Sequence, residues 1–177
     1  MPTDKSGDGR RDATAPDPLT PEQRRRNMAR IRARDTLPEM LLRRALHRAG
    51  HRYRLYARDL PGRPDLVFRR RRAVIFVHGC FWHGHTCPKG VTPATRRDFW
   101  VAKLEANRRR DSQQIDLLLK NGWRAAVVWE CALVGRARLP MPAVIEALEI
   151  WLSGDGSRFE LSGDWSPTGS LDSARSA

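Results

Sequence analysis

Three cysteines and a few histidines carry the sharpest chemistry in this chain. Cys80-x4-His85-x-Cys87 places three soft donors in one loop, and Cys131 follows an apolar run later in the chain. Three is an odd number for a disulfide framework, so thiolates on a metal are the better reading. A Cys3His set suits tetrahedral Zn2+, and four protein ligands make such a site closed and structural. His83 is an alternative to His85 as the fourth ligand. His85 is preferred for its place beside Cys87 and because His83 has another use. The second constellation is Gly62-Arg63-Pro64-Asp65. An Asp that opens a strand after a turn can hold Mg2+ against a phosphate. Nucleases of that kind usually carry an acidic residue and a lysine on the next strand, but here that stretch is Ile75-Phe76-Val77-His78. Histidines can fill the gap: His78 and His83 flank the strand end and can exchange protons near neutral pH.

Other residues read two ways. Glu39 stands three places after Thr36 and fits the N3 position of a capping box, at an exposed helix end that can face a site. Phe81 and Trp82 are adjacent in a polar, Gly-rich loop. They are either core or an apolar wedge of the sort that opens base steps. Phe99 and Trp100 begin a long helix, one of them facing the core. Met28 is an apolar residue in an arginine-rich segment that either intercalates or faces the domain.

These residues need a scaffold. Thr20-Pro21-Glu22-Gln23 is a helix start, and the helix it opens carries mostly arginine to about residue 34. A second helix starts at Thr36 and stops at Gly50. Tyr53 and Leu55 suggest a short strand; Asp65 to Phe68 and Ala73 to Val77 form two more, joined by Arg69 to Arg72. A helix follows over about 96–121, then a central strand in WRAAVVWE and a last helix over about 142–152. The expected fold is one α/β domain, a small mixed sheet flanked by helices with a zinc loop. Residues 1–18 read as a disordered tail, 19–35 as a DNA-binding arm within a domain over 19–152, and 153–177 as a flexible tail.

Charge narrows the partner. Lys and Arg total 33 against 20 acidic residues, a formal +13 over 177 residues. Arginines cluster at 24–26, 69–72 and 108–110, and guanidinium groups fork onto phosphate oxygens. No apolar run spans a bilayer, and the N-terminus lacks a secretory pattern, which points to a cytoplasmic protein with no membrane partner.

The run HGCFWHGHTC, preceded by PGRPD and AVIFVHG and followed by PATRRDFW and GWRAAVVWECAL, closely resembles the very-short-patch repair (Vsr) endonucleases over about residues 20–153. The resemblance implies a restriction-endonuclease-like fold. It implies a monomeric enzyme that nicks double-stranded DNA beside the T of a T·G mismatch left by 5-methylcytosine deamination, with a MutL-type repair protein as a candidate partner. It implies that Asp65 and the backbone carbonyl of Val77 hold Mg2+, the carbonyl accounting for the missing acidic partner. His83 would be the acid/base, supported by Glu39, His78 and Asp111. Cys80, His85, Cys87 and Cys131 would hold Zn2+. Phe81, Trp82 and Trp100 would form the aromatic wedge, with Met28 entering from the other groove. Val77 stands where the family can have Thr, a change that a backbone ligand tolerates, and Gly84 interrupts a loop that can be richer in histidine. Two rival readings fit parts of the pattern: a restriction-type or transposon-linked nuclease on matched DNA, and a zinc-stabilised DNA-binding module without catalysis.

Overall fold

The strand registers decide what stands next to what. In the computed structural model, which describes Thr20, Glu22, Gln23, Arg25, Arg26 and residues 34–165, five strands form one sheet in the order β1-β2-β3-β4-β5. They are β1 (Arg54–Leu55), β2 (Leu66–Phe68), β3 (Ala73–His78), β4 (Arg124–Trp129) and β5 (Arg158–Leu161). The first three pair antiparallel, while β3–β4 and β4–β5 pair parallel. Each parallel step is bridged by helix: α2 (Arg97–Lys120) between β3 and β4, then the turn α3 (Glu130–Leu133) and α4 (Met141–Ser153) before β5. The helix α1 (Leu37–Arg48) precedes the sheet.

Alternation along β3 and β4 feeds two cores. Ala73, Ile75, Ala126 and Val128 pack with Leu42 and Leu46 of α1 and Val144, Leu148 and Trp151 of α4. Val74, Phe76, Ala125 and Val127 face the other way, onto Leu118 of α2 and the Cys80–Cys87 loop. Both strands are therefore apolar on two faces, which is why they read as continuous runs rather than alternating ones. The expected mixed sheet with flanking helices is present. Among the described residues no helix is long and apolar enough to cross a membrane.

Helix ends fall where the glycines put them. Gly50 (φ +89°) and Gly122 (φ +72°) take the left-handed conformation just past α1 and α2. In each case the glycine N–H and the next N–H turn back onto the helix: Gly50 to His47 and His51 to Leu46, Gly122 to Leu119 and Trp123 to Leu118. That is the Schellman arrangement. At Thr20 the capping pair forms as expected, with Gln23 N–H donating to Thr20 Oγ1 and Thr20 N–H to Gln23 Oε1. At Thr36 it does not. Its hydroxyl donates to Glu39 Oε1, and Glu39 Oε2 instead accepts the N–H of Asp35.

Two expectations change. Residues 158–161, placed in the flexible tail by their Ser- and Gly-rich setting, form β5 on the parallel edge of β4. The pairing partner, not local composition, makes the strand. Arg69–Arg71 form a 3-10 turn that Arg72 ends, and the side chain of Arg72 donates to Asn121 O and Gly122 O at the end of α2. Arg71 and Arg124 donate to Leu152 O, and Arg124 also to Trp151 O and Gly154 O, at the end of α4. Of the arginines that read as a phosphate-seeking cluster, Arg71 and Arg72 thus cap helix C-termini, as does Arg124 from outside it.

Candidate active site and metal centre

Asp65 immediately precedes β2, and antiparallel pairing of Leu66 with Ile75 sets it opposite the end of β3. There its Oδ2 accepts the Val77 N–H at 2.7 Å. The residue lies on the wall of an open cleft of roughly 940 Å³ that Glu39, Val77, His78, Trp82, His83 and Asp111 also line. Burial pushes the Asp65 carboxyl up to about 7, and the charge on Glu39 adds to this; the Val77 N–H, Arg43 and His83 pull the other way.

His83 enters from the loop after β3 and Asp111 from the middle of α2. Nδ1 of His83 and Oδ2 of Asp111 are 2.5 Å apart. Burial disfavours the charged form of Asp111, but the hydrogen bond to His83, and then the His83 and Arg110 groups beside it, hold its carboxyl below the usual range. An ionised Asp111 requires Nδ1 to be the donor, which leaves Nε2 of His83 for the cleft. His78 lies flat on His83, ring centroids 3.8 Å apart and planes 8° apart. Burial and then His83 push His78 down to about 3, so it stays neutral. His78, His83 and Asp111 are close enough to share an ion. The two ring planes, however, are nearly parallel, and in-plane lone pairs on stacked rings do not converge on one point.

Glu39 shares the cleft, and its partners are the Thr36 hydroxyl, the Asp35 N–H, the Tyr56 hydroxyl at 2.9 Å and Arg43 Nη2 at 2.9 Å. Arg43 also holds Asp35 Oδ1 at 2.5 Å. This buried network was missed from sequence, since one more arginine in an arginine-rich helix carries no signal.

The second cluster is Cys80, His85, Cys87 and Cys131, whose ligand atoms lie within 4.8 Å of one another. The parallel register explains it. His78 pairs with Trp129, so Cys80 and Cys131 stand two residues past the two neighbouring strand ends. His85, not His83, joins the cysteines, with Nδ1 3.5 Å from Cys131 Sγ. All three cysteines are free and buried. Burial pushes the Cys80 thiol up; the Cys131 N–H opposes this, while the Cys87 and Cys131 thiols add to it. Burial also lowers His85, favouring a neutral imidazole. Crowded thiols beside a neutral imidazole are the donor chemistry that a divalent ion resolves, so this cluster could hold a metal. Gly163 completes it: its N–H donates to Cys131 Sγ at 3.3 Å. No sequence signal marked Gly163.

Phe81, Trp82 and Trp100 come together, half-buried and outside both cores. Phe81 meets Trp82 at 5.0 Å and Trp100 at 5.1 Å, edge to face. Asn107 of α2 donates to the Trp82 carbonyl at 2.9 Å and pins this part of the loop. Gly84 (φ +62°) sits against Arg108, where a Cβ would come within 2.3 Å of Nε, so glycine suits the loop. Met28 and most of the proposed arm lie outside the described residues.

Comparison with known proteins adds a second line of support. Residues 16–89 match the family model described as DNA mismatch endonuclease Vsr. The chain is 53% identical over 117 residues to the type II nicking enzyme V.XorIIP of Xanthomonas oryzae pv. oryzae, covering 66% of this chain and 86% of that protein. It is 40% identical over 121 residues to the type II nicking enzyme V.NmeAIP of Neisseria meningitidis, covering 68% and 86%. With the DNA mismatch endonuclease Vsr of Escherichia coli it shares 45% identity over 138 residues, 78% of this chain and 88% of that one, and it belongs to the Vsr endonuclease family.

Proposed function

We propose that this protein is an endonuclease that nicks one strand of duplex DNA beside the T of a T·G mismatch, with Mg2+ in the cleft and Zn2+ in the cysteine cluster. The observation that carries this reading is one cleft holding a half-buried carboxylate, Asp65, and a carboxylate-bound imidazole, His83 on Asp111. The Asp65 carboxylate and the Val77 carbonyl would hold Mg2+; hard oxygen donors, one of them a carboxylate whose charge burial disfavours, fit that ion. When bound, the ion supplies Lewis acidity to the scissile phosphate. His83 Nε2 takes or returns the proton of the attacking water or leaving oxygen. Asp111 holds the required tautomer and stabilises the imidazolium that forms, as a buried carboxylate does in other acid–base pairs. His78, stacked and neutral, fixes the plane of the ring without adding charge. Phe81, Trp82 and Trp100 act as the wedge, opening a base step most easily where pairing is already imperfect. The zinc cluster keeps the loop carrying both wedge and His83 on the ends of β3 and β4.

The test is a nicking assay on duplexes that differ only in T·G against T·A, with randomised flanks and with or without Mg2+. Nicking of the T strand in the mismatched duplex alone, dependent on Mg2+, is the expected result. Equal cleavage of matched DNA would favour a restriction-type nuclease, and binding without cleavage a non-catalytic module.

A further inference from the structure

A column of rings joins the cysteine cluster to the cleft. His85, one of the four clustered donors, stacks on Trp129 with centroids 4.3 Å apart and planes 17° apart. Trp129 meets His78 at 5.4 Å in an edge contact. His78 in turn lies flat on His83, whose far side bonds Asp111. Trp129 is the last residue of β4, and its indole N–H donates to Glu160 Oε1 on β5. It is buried in the α2-side core, so its ring is held by packing as well as by that bond.

His83 needs such support. It belongs to a run of turns between Cys80 and Gly84, with its N–H bonded to Gly79 O at 3.2 Å. The Asp111 bond fixes one atom of the imidazole but leaves the ring free to swing about it. A flat neighbour on one face removes that freedom only if the neighbour is itself held. His78 is held from behind by Trp129, and Trp129 by β5 and by His85 in the metal cluster.

We infer that Trp129 is a positioning residue for the nicking reaction: through His78 it carries the rigidity of the metal centre to His83. The inference rests on reading His83 as the proton-transfer group. Trp129 lies on neither the aromatic trio nor the cleft wall, so its loss should act on the chemical step and not on DNA affinity. Small misplacements of an acid–base group are costly to that step alone.

The experiment compares zinc-loaded full-length wild type with Trp129→Phe, Trp129→Leu and Glu160→Ala. Four quantities are measured: zinc content, affinity for a T·G duplex, single-turnover nicking, and the far-downfield proton resonance expected of the short His83 Nδ1–H bond to Asp111. Trp129→Phe, which keeps a ring in the column but loses the indole N–H tether to Glu160, should behave like Glu160→Ala, with the resonance broadened and nicking slowed several-fold, less than in Trp129→Leu. Trp129→Leu should keep zinc and affinity, broaden the resonance by solvent exchange, and slow single-turnover nicking by roughly 10-fold or more. If Trp129→Leu does not fold, Glu160→Ala, which keeps the ring and cuts its tether, should broaden the resonance and slow nicking several-fold. A sharp resonance with a wild-type rate in the folded Leu variant, or in Glu160→Ala when Leu fails, overturns the inference. A broadened resonance in a protein whose wild type does not nick would keep the coupling and overturn the proposed function.

Discussion

Burial works against the charge of the Asp65 carboxyl, and that conflict has a measurable sign. Its folded-state value, about 7, lies above the usual Asp value, so the folded form binds more protons than the unfolded one from about pH 4 to 7. In Mg2+-free buffer its contribution to stability is therefore largest in acid and is lost as the pH rises through 7. Asp65→Asn keeps an acceptor for the Val77 N–H and removes the charge. Its stability relative to wild type should rise with pH, by on the order of 2–4 kcal/mol at pH 8, while nicking disappears and DNA binding persists. Thermal melts of both proteins across pH 4–8 measure this; a pH-independent difference would show that burial does not oppose the charge. A second residue-scale outcome concerns Asp111. Asp111→Asn preserves the shape of the pair but no longer selects the Nδ1–H tautomer of His83. Single-turnover nicking should fall by about 100-fold or more with little change in affinity. Equal loss of rate and binding would instead assign Asp111 to the DNA surface.

The elements that place these residues were readable to different degrees. β3 and β4 announced themselves as apolar, β-branched runs, and Gly50 and Gly122 marked two helix ends, because both signals are local. The gathering of Cys80, His85, Cys87 and Cys131 was legible too: three cysteines near two strand ends leave few other arrangements. Arg43, Glu160 and Gly163 were not, because their importance lies only in what the fold brings to them. β5 shows the same limit, since its pairing with β4 lies outside its own sequence. Yet this strand leads into the cysteine cluster. A Cβ at Gly163 would sit 2.4 Å from Cys131 O and 2.6 Å from Ala137 O, both backbone atoms that cannot swing away. Gly163→Ala should thus displace the segment, break the N–H bond to Cys131 Sγ and speed zinc loss to a chelator, with the melting temperature falling in parallel. Zinc release at the wild-type rate would show that β5 caps the cluster without supporting it. In the loop on the other side, Trp82→Ala should leave zinc and melting unchanged while erasing the preference for T·G over T·A duplexes; retained preference would return the trio to a packing role.

At the scale of the molecule, the net charge of +13 divides into two populations that composition does not distinguish. Asp65 precedes β2 and His78 ends β3, so the cleft lies at one end of these strands and the Arg69–Arg72 turn at the other. Around the cleft stand Arg34, Arg58, Arg63 and Arg110, all exposed. At the far end Arg71, Arg72 and Arg124 give their guanidinium groups to helix carbonyls. A cation that meets a phosphate displaces a condensed counterion, whereas one engaged with helix carbonyls does not, so salt dependence separates the two populations. Arg63→Ala and Arg110→Ala should each weaken binding to any duplex, matched or mismatched, and lower the slope of log affinity against log salt by about 1. Arg124→Ala strands carbonyls at the end of α4 and should cost about 1–3 kcal/mol of stability, with the slope unchanged. Removing residues 1–33, which contribute further arginines, should flatten the slope further if that segment is an arm that meets DNA. Binding isotherms at four or five salt concentrations, paired with denaturant melts, place each arginine in one population. A cap variant that lowers the slope while leaving stability intact would mean that DNA runs past the far end of the sheet as well, and that the cleft is only the centre of a larger interface.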